Sequence, residues 1–102
     1  MHDRNDRIAE EIRRLSGEFL SRESNRLSLI TVTRILLSRD TRKATICISI
    51  FPPEKEKAAL EFSARHAGDL REYMKKHSRL PVIPHLTFQI DKTEENGHNT
   101  EG

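Results

Sequence analysis

The sequence predicts an α+β domain: one three-stranded sheet with helices packed on a single face. Three observations carry this. Residues 29–51 hold two runs rich in β-branched residues and Leu, on either side of the short charged stretch Ser38-Arg39-Asp40-Thr41-Arg42-Lys43. That is the pattern of an antiparallel hairpin. Ile8, Ile12, Leu15 and Phe19 recur at spacings of four, three and four, one stripe of an α-helix. After the hairpin, helix-forming sequence leads to a last alternating run, His85 to Asp91. A hairpin alone is marginal in water, so the flanking segments must cover it.

The first helix is expected roughly from Asn5 to Arg22, capped by Asp3, Asn5 or Asp6. Gly17 inside it should cost about 1 kcal/mol relative to Ala. Arg7–Glu11 and Glu10–Arg14 are spaced to pair along its surface. The polar stretch Ser21 to Ser28 reads as a loop. In the second strand Ala44, Ile46, Ile48 and Ile50 alternate with Thr45, Cys47, Ser49 and Phe51, so the first set faces the core.

Pro52 and Pro53 end that strand and lead into a helix over 54–65, with Ala58, Ala59, Leu60 and Phe62 available to pack. Gly68 should break or bend the chain and Asp69 cap a third helix running to about His77. That helix would bury Leu70, Tyr73 and Met74. Arg71, Lys75 and Arg79 follow at i, i+4 and i+8, a basic stripe with no acid on its line. Leu80 to Pro84 must be extended, and the third strand follows. The order is helix, strand, strand, helix, bend, helix, strand.

One domain of 102 residues buries roughly 60–65% of its unfolded surface. No apolar run approaches the roughly 20 residues of a membrane span, and the N-terminus lacks a signal-peptide pattern. The cytoplasm is the expected location. Residues 1–43 carry ten Lys/Arg against seven Asp/Glu, residues 44–91 seven against six, and residues 92–102 one against three. A weakly basic domain, residues 1–91, is therefore expected to precede a disordered acidic tail, residues 92–102.

Catalytic chemistry finds little support. No two of the five histidines stand at metal-ligand spacing and Cys47 has no partner cysteine, so neither a metal nor another cofactor is expected. The four glycines form no phosphate loop, and no nucleophile elbow is visible. The expectation is a binding protein, not an enzyme. Two clusters are candidates for phosphate contact: Arg39, Arg42 and Lys43 at the hairpin turn, and Arg71, Lys75, Lys76 and Arg79 on the third helix. Such charges also suit plain solubility.

The ordered motifs narrow the choice. Leu29-Ile-Thr-Val-Thr-Arg-Ile35, Ser38-Arg39-Asp40, Lys43-Ala-Thr-Ile-Cys-Ile-Ser49, Ala67-Gly-Asp-Leu-Arg71 and Arg79-Leu-Pro-Val-Ile-Pro-His-Leu-Thr-Phe88 together resemble the bacterial ribosome-binding factor A family. The resemblance spans about residues 4–91. It implies a type II KH-like fold, αββααβ, the order already read from pattern. It also implies a non-catalytic, monomeric assembly factor that binds the immature 30S subunit and its 16S rRNA and promotes rRNA processing and late maturation. Ribosomal proteins or an assembly GTPase are further implied partners. In that family Ala-x-Gly replaces the KH Gly-x-x-Gly loop; the corresponding residues are His66, Ala67 and Gly68, with His66 where the family generally has Ala. Clamping of a single strand is then not expected. A generic KH-like RNA-binding protein and a protein-interaction module are the alternative readings.

Overall fold

The computed structural model describes residues 4–23 and 28–92. Helix α1 (Arg4–Glu23) leads to β1 (Leu29–Leu37) and β2 (Lys43–Phe51). A 3-10 turn (Pro53–Lys55), α2 (Glu56–Arg65), α3 (Ala67–His77) and β3 (His85–Ile90) complete the chain. The order is the expected αββααβ. Two bounds differ: α1 continues through Ser21 to Glu23, and the prolines open a 3-10 turn before α2. The expected tail, from residue 93 on, and the cap candidate Asp3 lie outside the described residues.

The sheet order is β1-β2-β3, with β1 antiparallel and β3 parallel to the central β2. A parallel pair needs a long crossover, and α2 and α3 supply it. Ala44, Ile46, Ile48 and Ile50 are all buried on the inner face, and the first three pair with Leu86, Phe88 and Ile90 of β3. On β1 the inward residues are Ile30, Val32, Ile35 and Leu37, a spacing of two, three and two. A bulge accounts for the step: Val32 pairs with Ile48 and Arg34 with Cys47, leaving Thr33 as the extra residue.

The helices complete the core from the same side with Ile12, Leu15, Phe19 and Leu20 of α1, Ala59 of α2, and Leu70 and Met74 of α3. Ala58, expected to pack, is exposed; Tyr73 is half-buried. Cys47 is fully buried, yet it belongs to the other face of the sheet, outside the main core. The Gln89 amide lies 3.7 Å from its sulfur. Beside it the Thr33 hydroxyl contacts the Cys47 carbonyl (3.2 Å) and the Asp91 carboxylate, and Asp91 also meets Arg34 at 3.6 Å.

On α1 the expected pairs are exchanged for others. Glu10 is taken by Arg13, and Glu11 and Glu18 by Arg14 at 2.9 and 3.0 Å. These pairs are exposed, so solvent screening leaves them little weight in stability.

Candidate nucleic-acid interface

The hairpin turn is built by short polar side chains. The Ser38 hydroxyl donates to the Asp40 carboxylate (2.7 Å), which also accepts from the Arg42 amide (3.1 Å), while the Lys43 amide donates to the Ser38 hydroxyl (3.0 Å). These bonds, Ser38 first, hold the Asp40 carboxyl below the usual carboxylate range. Thr41 takes φ 61° at the tip. The result is a compact turn whose acid is turned onto its own backbone and hydroxyl, leaving Arg39, Arg42 and Lys43 exposed.

The third-helix cluster is divided. The helix ends at His77, and Ser78 is extended (φ −135°, ψ 171°), so Arg79 leaves the expected helical line. Lys75 pairs with Glu72 at 3.1 Å, an acid one turn away that the stripe did not include. Arg71 is half-buried, and its Nη1 donates to the carbonyls of Ile83 (3.1 Å) and Pro84 (2.6 Å). Lys76 and Arg79 remain exposed, lining a groove of about 480 Å³ with Glu11, His77 and Ser78.

Folding brings the two clusters to one end of the molecule. The Asn5 amide of α1 donates to the Arg39 carbonyl at 3.2 Å. Glu11, which faces Lys76 and Arg79 across the groove, lies six residues further along α1, about 9 Å of helix axis. From the other side, His85 opens β3 beside Lys43 and its amide donates to the Arg42 carbonyl at 2.8 Å. Arg39, Lys43, Lys76 and Arg79 form no ion pair among the described residues. His85, exposed at this end, is a member that the sequence marked only as the start of the last alternating run. The parallel β2/β3 register that brings it beside Lys43 has no local signal.

The helix–helix bend sits two residues earlier than Gly68 suggested. His66 alone breaks the helical path (φ −96°, ψ 10°), ending α2 and starting α3. Gly68 is inside α3, has no positive φ, and has open space where a Cβ would stand. The His66 ring packs against Phe62 at 4.4 Å between centroids and its Nδ1 meets Asp69 at 3.0 Å. The three residues of the expected motif therefore form a helical corner packed by the His66 ring, with Gly68 exposed, instead of a glycine loop.

Among the described residues no group of three His, Cys, Asp or Glu could hold a metal ion, and no helix is long and apolar enough to cross a membrane.

A family model described as ribosome-binding factor A matches residues 4–102. The chain is 32% identical over 97 residues to the ribosome-binding factor A of Thioalkalivibrio sulfidiphilus, covering 92% of this chain and 75% of the relative. Among solved structures it is similar to the crystal structure of the Thermus thermophilus ribosome-binding factor A, with TM-score 0.73 and 21% identity over 82% of this chain and 92% of that one. It is also similar to a homology model of the Thermus factor fitted into the cryo-electron-microscopy map of its 30S complex. That match has TM-score 0.71 and 24% identity, covering 81% and 90% of the two chains.

Proposed function

The chain belongs to the ribosome-binding factor A family, and on that premise we propose that its basic end binds the small ribosomal subunit during assembly. The Thermus thermophilus member was fitted into the map of a 30S complex, which supports reading this chain's partner as the 30S subunit. The observation that carries the reading is the convergence of Arg39, Arg42 and Lys43 with Lys76 and Arg79 at one end of the fold.

Rigidly presented cations of this kind suit the phosphates of structured 16S rRNA, and such contacts position without reading bases. Single-strand clamping is not part of the proposal, because Ala67 and Gly68 belong to α3 and form no glycine loop. The role is that of a non-catalytic factor: binding energy favours one rRNA arrangement, and processing and late maturation proceed from it.

Co-sedimentation with separated 30S, 50S and 70S particles across a salt series tests this. The expected result is binding confined to 30S. With five phosphate contacts, the log–log salt slope should be about −3.5 to −4.5. Reversing Arg39, Arg42, Lys76 and Arg79 to Glu should abolish binding while the thermal melt stays cooperative. Equal binding to all particles would favour a generic RNA-binding protein; none at low salt would favour a protein-interaction module.

A further inference from the structure

Arg71 reads in the sequence as one more cation of the third helix, but its guanidinium is spent inside the protein. It bridges two successive carbonyls, those of Ile83 and Pro84, at the end of the segment that leaves α3. Pro84 is fully buried. The next residue, His85, bonds the Arg42 carbonyl of the hairpin turn. The other end of the segment is fastened too: the Ser78 hydroxyl donates to the Met74 carbonyl (2.8 Å) and accepts from the Leu80 amide (3.2 Å). Arg79 lies between these fastenings. A single hydrogen-bonded path thus runs from α3 through Arg71 and the 78–84 segment to Arg42.

We propose that Arg71 is the positioning residue of the binding end, holding Lys76 and Arg79 at a fixed separation from Arg42 and Lys43 without itself touching a phosphate. This rests on the ribosomal reading above. A guanidinium suits the task because the two N–H bonds of Nη1 reach both carbonyls, and because its charge is weakly hydrated and tolerates half-burial. Preorganisation matters here because phosphates of folded RNA have set spacings, and a loose loop must be ordered at the moment of binding.

The test is a double-mutant cycle on 30S affinity, measured by co-sedimentation. Arg71→Met is made in the wild-type background and in one carrying Lys76→Ala and Arg79→Ala. Positioning predicts a roughly five- to tenfold loss in the first and less than a twofold loss in the second, since the cations it positions are gone. Amide exchange at His85 should accelerate while that of Ile46 stays protected. An equal loss in both backgrounds means a direct phosphate contact and overturns the proposal, as does no loss in either. Should Arg71→Met fail to fold, Arg71→Lys enters the same cycle. A Lys variant that binds like wild type in both backgrounds also overturns it. Absence of 30S binding by the wild-type protein overturns the ribosomal reading itself, whereas accelerated His85 exchange would still report the tether.

Discussion

The Nδ1 atom of His66 lies 3.0 Å from the Asp69 carboxylate, three residues on. This pair spans the start of α3, so the bend is secured by a histidine and a first-turn acid near the positive end of the helix dipole. Gly68 contributes neither positive φ nor a close approach. Gly68→Ala should therefore keep the bend and raise stability by up to about 1 kcal/mol, read from urea unfolding. Asp69→Ala should lower it. A large loss from Gly68→Ala would return the glycine to the role the sequence suggested.

Neighbouring positions on α1 hold a second opportunity. Ser16 is fully buried and its hydroxyl has no hydrogen-bond partner among the described residues, a desolvation cost on the order of 1–3 kcal/mol. Ser16→Ala should stabilise by about 1 kcal/mol. Gly17, mid-helix with open space about it, should gain about 1 kcal/mol as Ala. Both gains appear as a higher urea midpoint at unchanged slope.

The turn supplies a pH dependence. Asp40 is held below the usual carboxylate range by Ser38 and the Arg42 amide. A depressed folded-state pKa means that its contribution is present at neutral pH and lost as pH falls through that lowered value. Asp40→Asn should thus melt lower than wild type near about pH 7, with the gap narrowing as pH falls below the ordinary Asp range. A gap independent of pH would assign the effect to the amide's shape.

At the same tip Thr41 takes φ 61°, a left-handed conformation that strains a β-branched residue. Asn tolerates it better. Thr41→Asn should stabilise by about 0.5–1 kcal/mol and leave 30S binding intact, because the exposed cations on either side are untouched. A loss of stability would show that the Thr41 hydroxyl bond to the Asp40 carbonyl (2.6 Å) outweighs the strain.

Much of this protein follows from local pattern. The stripe Ile8, Ile12, Leu15, Phe19, the alternation of Ala44 to Phe51, and the polar turn between the hairpin strands place α1, β1 and β2 within a few residues, because helix and strand periods are read one segment at a time. The ordered motifs also point to the family. What no single segment contains is the relation between segments. The bulge at Thr33 shifts the inward set of β1 by one, and only pairing against β2 reveals it. The i, i+4, i+8 line of Arg71, Lys75 and Arg79 assumes a helix that in fact ends at His77. Whether a cation faces solvent or a carbonyl depends on where a distant loop packs, so the sequence by itself determined the elements and their order. Tertiary structure decided that Arg71 is a tether, that His85 stands beside Lys43, and that two separate basic segments share one end.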